Sequence, residues 1–164
     1  MAKMKTLDDL FLDTLKDVYY AERKILKALP KMKRAAQNEA LAAAFDKHHG
    51  ETQEQIERLQ QVFEILGKPA RGKTCDAIEG ILTEAEDIIE EFKDSPALDA
   101  GLISSAQAVE HYEITRYGTL IAFSRKLGHD KKVAELLLAN LDQEYAADKS
   151  LSELGEGTLN AKAA

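Results

Sequence analysis

The stretch Ile103-Ser104-Ser105-Ala106-Gln107-Ala108-Val109-Glu110-His111-Tyr112-Glu113-Ile114-Thr115-Arg116-Tyr117-Gly118-Thr119-Leu120 decides the fold. Ile103, Ala106, Tyr117 and Leu120 share one face of a helix, at the three- and four-residue steps of a seam packed on a core. Glu110 and Glu113 occupy the same face. A buried seam interrupted by acid describes a helix that packs inside a bundle and carries chemistry there. Ser95-Pro96 reads as the cap and first turn of this helix, which runs to about Leu127 and stops at Gly128.

The same pattern extends outward in both directions. Thr6 is a plausible N-cap, with Asp9 three residues on as an acidic capping-box variant. Phe11, Leu15, Val18, Ile25 and Leu29 follow as a seam broken at Glu22. Pro30 should kink or end this first helix, although Met32 and Ala36 suggest a further turn. Asn38 caps a second helix carrying Leu41, Phe45, Ile56, Leu59, Phe63 and Leu66, which Gly67 stops, so the first two helices form a hairpin turning near Gln37. Asp130 caps a last helix with Val133, Leu137, Leu141 and Leu151 on its seam. Gly155 should stop it, leaving 155–164 as a frayed tail on a single-domain core of about 6–154.

The connection from Gly67 to about Pro96 is too long for a bundle turn, where roughly 2–8 residues suffice. Ile78, Ile81, Leu82, Ala85, Ile88, Ile89 and Phe92 make an apolar stripe within it, opposite Glu84, Glu86, Asp87, Glu90 and Glu91. This is a short amphipathic crossover helix with a solvated acidic face. Two hairpins joined by a long crossover give an all-α, ferritin-like four-helix bundle.

Composition agrees. The chain has 164 residues, 45% hydrophobic and 31% charged, with few Pro and Gly. That length suits one domain with a core that needs no staples. One cysteine, Cys75, rules out a disulfide scaffold. A net charge of −7 argues against nucleic-acid binding, which needs a basic footprint. No stretch approaches the ~18 apolar residues of a membrane span. The charges in Met1-Ala2-Lys3-Met4-Lys5-Thr6-Leu7-Asp8-Asp9 stand where a signal peptide would be apolar, so a cytoplasmic protein is expected.

Each long helix places polar, titratable residues near one level of the seam. The first contributes Glu22, the second His48 and Glu51, the third Glu110 and Glu113, and the last Glu144 and Asp148. Counted from a first turn at Gln37, Glu22 lies 15 residues before and Glu51 14 after. Counted from a second turn at His129, Glu113 lies 16 before and Glu144 15 after, and Glu110 and Asp148 are each 19 away. At about 1.5 Å of rise per residue, each pair falls within about 1.5 Å along the bundle axis.

Burying one carboxylate costs several kcal/mol, and like charges repel. The acids are therefore either protonated, paired with Lys and Arg, or neutralised by cations. Carboxylates with one or two His suit Fe, Mn or Zn, and two ions balance four to six acids. The fit to the dimetal pattern of one Glu from two helices and Glu-x-x-His from two others is partial. His48 precedes Glu51, and Asp148 stands where a His would be expected. His48 reads either as a ligand or as a helix-interface His. His49, His111 and His129 read as non-ligands. Tyr19 and Tyr117 lie near the acids, either bonded to a carboxylate or as ordinary core.

Tyr20-Ala21-Glu22, His48-x-x-Glu51-Thr52, Ala106-Gln107-Ala108-Val109-Glu110-His111-Tyr112-Glu113 and Leu141-Asp142-Gln143-Glu144-Tyr145-Ala146-Ala147-Asp148 resemble the YciE/YciF-type ferritin-like proteins over about Leu7 to Leu154. Gln143 stands where that family is expected to carry an acid, on a position off the seam. The resemblance implies a bacterial stress-associated homodimer, similar to part of rubrerythrin, and implies no reaction.

Two functions follow as expectations. The first is a dimetal-carboxylate protein with iron or manganese, zinc being the further option, acting on peroxide, dioxygen or ferrous iron. Glu22, Glu51, Glu110 and Glu144 are its primary ligands, with Glu113, Asp148 and His48 completing the shell. The second is a metal-free or structurally metallated homodimeric interaction protein.

Overall fold

The computed structural model describes residues 2–164, so Met1, at the head of the segment read for a targeting signal, lies outside the described residues. Helix α1 spans Leu7–Ala35, α2 Glu39–Ile65, α3 Asp76–Glu91, α4 Leu98–Leu127 and α5 Lys131–Leu154. No strand occurs among the described residues, and no helix there is long and apolar enough to cross a membrane. The chain is an all-α bundle of two antiparallel hairpins, α1/α2 and α4/α5, with α2 beside α5 and α1 beside α4. Helix α3 carries the crossover along the outside and packs on α4 and α1.

Local chemistry fixes the ends. Thr6 and Asp9 form a capping box, the Asp9 carboxylate accepting from the Thr6 N–H at 2.8 Å. Asn38 Oδ1 accepts from the N–H groups of Ala40 and Leu41. The buried Asp99 carboxylate accepts from Gln37 N and Asn38 N at 2.8 and 2.9 Å, tying the first hairpin turn to the start of α4. Gly128, at φ +69°, ends α4 in the left-handed conformation that glycine tolerates. Asp130 caps α5.

Pro30 lies inside α1, which continues past it through the buried Met32 to Ala35, the further turn that Met32 and Ala36 suggested. Three other expectations change. Ser95-Pro96 forms a turn ahead of α4, which begins at Leu98. Phe92, expected on the crossover stripe, is exposed at the C-cap of α3. Gly155 does not stop α5. The chain passes through a π-helical turn, Gly155–Leu159, into a short helix α6, Asn160–Ala163. Leu159 packs into the core at 4% exposure, so burial of one apolar side chain carries the helix past two glycines.

Helices α3 and α4 approach closely at Gly101. A Cβ there would stand 2.7 Å from the Ile88 methyl, so this glycine sets the crossover's seat.

The core is in two parts. One apolar cluster joins Phe11, Leu15 and Val18 with Leu59, Phe63, Leu120 and Leu137. The other joins Ile25 and Leu29 with Leu41, Phe45, Leu102, Val109 and Leu151. Between them, on every long helix, the sequence turns polar: Glu22, then His48 to Gln55, then Glu110 and Glu113, then Glu144.

Candidate metal centre

Helix periodicity brings this polar level together. Glu22, Glu110, Glu113 and Glu144 are each exposed by 2% or less, and His48 is buried among them. His48, Glu110, Glu113 and Glu144 each offer one ligand atom, all within 4.8 Å of one another. His48 Nε2 lies 3.0 Å from Glu110 Oε1 and 3.9 Å from Glu144 Oε2, yet makes no hydrogen bond. Closeness without directionality is what side chains aimed at a common third point produce. Glu22 Oε2, Glu110 Oε2 and both oxygens of Glu113 and of Glu144 also lack hydrogen-bond partners. Orphaned buried carboxylate oxygens are rare, because each lacks compensation for its lost water.

Electrostatics follows from this packing. Burial raises Glu113 and Glu144 well above the usual carboxylate range, and the neighbouring acids push them further. Burial also raises Glu22, against the opposing pull of Glu113 and the Tyr117 hydroxyl. Burial alone would lower His48, but Glu110, Glu51 and Glu22 outweigh it and hold the imidazole up to about 10. The cluster thus retains protons wherever no cation replaces them. Four carboxylates and one imidazole form a hard, oxygen-rich donor set with one nitrogen, which suits iron, manganese or zinc.

The remaining candidates lie at the margins. Glu51 stands behind His48, accepting from Nδ1 at 3.3 Å, with Lys47 3.7 Å from its other oxygen. Asp148 points outward, accepting from Gln107 Nε2 at 3.1 Å and facing His111 Nε2 at 3.1 Å. One four-residue step past Glu144 turns Asp148 by about 40° around the helix, towards the outer edge of α4. The structure therefore brings together His48, Glu110, Glu113 and Glu144 with Glu22 alongside, and holds Glu51 and Asp148 outside that group. His49, His111 and His129 also lie outside it. Tyr117 donates to Glu22, whereas Tyr19 accepts from Gln60 and touches no carboxylate.

Gln55 and Asn140, at this level, escaped the sequence reading, and Thr52 entered it only as the end of the His48-x-x-Glu51-Thr52 motif. Gln55 is fully buried with no hydrogen bond to its side chain, next to Glu144. Asn140 donates to Gln55 O and to the Tyr117 hydroxyl, both at 3.2 Å, and accepts from Arg58 at 3.1 Å. Thr52 Oγ1 donates to His48 O at 2.8 Å. Their spacing was a usable signal: Gln55 lies seven residues after His48 and Asn140 four before Glu144, on the same faces.

The profile of the family described as "Domain of unknown function (DUF892)" matches residues 6–164. The chain is 43% identical over 161 residues to protein YciF of Escherichia coli (strain K12), covering 98% of this chain and 96% of that one. The crystal structure of the E. coli stress protein YciF superposes with a TM-score of 0.90 at 42% identity, covering 96% of this chain and 99% of that one. YcfI of Rhodopseudomonas palustris, provisionally described as a structural protein, matches with a TM-score of 0.88 at 49% identity, covering 92% and 95%.

Proposed function

The chain belongs to the DUF892 family, and on that premise we propose that it is a stress-associated ferritin-like protein built around a carboxylate-bridged dinuclear centre of iron or manganese, with zinc as a further option. One observation carries this reading: buried carboxylate oxygens from three helices stand without partners around His48. Glu22, Glu110, Glu113, Glu144 and His48 form the ligand shell. Glu51 orients His48 through Nδ1, the usual role of a carboxylate behind a ligating imidazole. Asp148 stays outside the shell. The bound ions would supply Lewis acidity and electron exchange toward dioxygen, peroxide or ferrous iron. The chain's own groups hold the carboxylates at one height, exclude bulk water with an apolar cluster on either side, and keep a proton at the Tyr117 hydroxyl facing Glu22. The stress association rests on the name of the E. coli relative, and the protein acts as a homodimer.

The test is metal content. Protein purified without chelator should hold about two ions of Fe, Mn or Zn per chain, and Glu22→Ala and Glu110→Ala should each lose them. Full metal in both variants would place the centre elsewhere. No stoichiometric metal, and no metal-dependent shift in melting temperature, would leave the second reading. That reading is a homodimeric interaction protein whose acids stay protonated, and the raised Glu113 and Glu144 favour it in the absence of cations.

A further inference from the structure

The polar level has two unlike ends. Along α2, Phe45 belongs to one apolar cluster and Leu59 to the other, with His48 and Gln55 between them. The seven-residue step sets their backbones about 10 Å apart along the helix. Helical side chains lean toward the N-terminus, so the Gln55 amide is carried back toward the carboxylates. That amide is completely buried and stands next to Glu144. Neither its Oε1 nor its Nε2 has a hydrogen-bond partner among the described residues.

Donation from Nε2 to Glu144 would satisfy half of the amide and leave Oε1. The donors at this end of the level are already spent. Asn140 Nδ2 donates to Gln55 O and to the Tyr117 oxygen, Tyr117 donates to Glu22, and Arg58 donates to Asn140 and Gln143. What remains for a buried carbonyl oxygen is a proton on a neighbouring acid or a cation.

We infer that Gln55 Oε1 is a ligand of the second ion, so that the centre holds two chemically unequal positions. The inference rests on the dinuclear reading and deepens it. The ligand atoms of His48, Glu110, Glu113 and Glu144 lie within 4.8 Å of one another, close to the span of a shell around one ion. Glu113 and Glu144 each keep two unpartnered oxygens, enough to serve one ion on either side. Glu22 and Gln55, on the Tyr117 side, complete the other position. Charge favours a neutral ligand there. Two divalent ions already balance Glu22, Glu110, Glu113 and Glu144, and a glutamine carbonyl adds a donor atom without surplus charge. The His48 position offers a nitrogen and suits zinc, whereas the Gln55 position offers oxygen alone and suits Mn(II).

The experiment gives the metal-free full chain one equivalent of Zn(II) and an excess of Mn(II), then counts both ions per chain by elemental analysis. Wild type should hold about one of each. Gln55→Met, close in volume and without an oxygen, should keep the zinc and bind manganese roughly tenfold or more weakly. Gln55→Glu, which keeps the oxygen, should keep both ions. Gln55→Asn draws the amide back by one methylene and should lose manganese as well, which tests the same claim if Gln55→Met fails to fold. Manganese held at wild-type affinity in Gln55→Met or Gln55→Asn would overturn the inference. So would its loss from Gln55→Glu, which would make Gln55 a hydrogen-bond donor to Glu144 and no ligand. The two claims separate in the same measurement. Wild type without stoichiometric metal removes the dinuclear reading and this inference with it, whereas two ions in both wild type and Gln55→Met remove the role of Gln55 alone.

Discussion

Tyr117 on α4 donates a 2.5 Å hydrogen bond to Oε1 of Glu22 on α1, joining residues 95 positions apart. The bond is one step of a directed series. Arg58 donates to Asn140, Asn140 donates to the Tyr117 oxygen, and Tyr117 donates to Glu22. Burial, with the charges of Glu22 and Glu113, holds the phenol well above its usual range, so its proton stays on as donor. Every dipole in the series points toward the carboxylate, which fixes the Glu22 rotamer and favours its ionised form.

Tyr117→Phe removes only the hydroxyl, but it strands Glu22 Oε1 and weakens the hold on Asn140. Leaving a buried polar group unsatisfied costs about 1–3 kcal/mol. Urea unfolding should show the unfolding free energy lowered by that amount, read as a lower midpoint with an unchanged slope. Tyr145→Phe, on an exposed side chain, should leave the midpoint in place. Equal midpoints for the two variants would mean that the Tyr117 bond contributes nothing to stability.

The metal-free protein should lose stability as the solution turns alkaline. Glu113 and Glu144 are raised above 4.5 in the folded chain, so their stabilising protonation is complete below that value and is lost as pH climbs through the folded values. His48 acts in the same direction: its contribution is complete below 6.5 and lost as pH rises through about 10. Glu51, lowered by His48, acts oppositely and loses its contribution only as pH falls below 4.5. Melting temperature without metal should therefore peak near 4.5, decline above it, and decline more steeply above 6.5 as His48 adds its loss. Added metal should raise it most at the alkaline end, because ligands bind deprotonated. A metal-free melting temperature that rises across neutral pH would contradict this.

Glu51 and Glu110 should differ in how they affect metal. Glu51→Ala frees His48 without removing a ligand and should weaken binding by roughly 10–100-fold, the usual effect of losing an orienting carboxylate. Glu110→Ala removes an oxygen from the cluster and should abolish stoichiometric binding. Asp148→Ala, outside the cluster, should leave affinity unchanged. Isothermal titration with Mn(II) on the three variants reads this order, and an Asp148→Ala loss equal to that of Glu110→Ala would place Asp148 in the shell.

Leu159→Ala should destabilise the protein by about 2–5 kcal/mol, the range for a buried leucine. Thermal unfolding measures it. A melting temperature equal to wild type would mean that the last turns of the chain carry no packing energy.

The bundle and its polar level were legible because burying an acid is costly. A seam that admits Glu22, Glu110, Glu113 and Glu144 marks itself at each break. Counting from Gln37 and His129 captured height along the axis and was blind to rotation about it. Glu51 and Asp148 share the level but turn away from the group, Glu51 behind His48 and Asp148 toward Gln107 and His111. The seat of Leu159 was hidden for another reason. A lone apolar residue beyond Gly155 and Gly157 has no periodic neighbours, and only the tertiary pocket gives it a helical turn. Cys75, which in sequence told only against a disulfide scaffold, caps α3 and meets the Tyr112 hydroxyl at 2.9 Å, contacts that its position in sequence does not announce.

The division of the core into two apolar clusters gives the bundle a waist. Apolar packing is not continuous from end to end, so across the polar level the halves are coupled by the four helical backbones that thread both and by the buried polar side chains between them. Cooperativity between the halves then depends on the state of the waist. With the carboxylates neutralised the molecule should open as one unit, and with them charged and repelling it should open as two. Amide exchange reports this as a difference in the number of exchange classes, with α1 near Glu22 and α4 near Glu113 forming the border between a half anchored on Phe63 and a half anchored on Phe45.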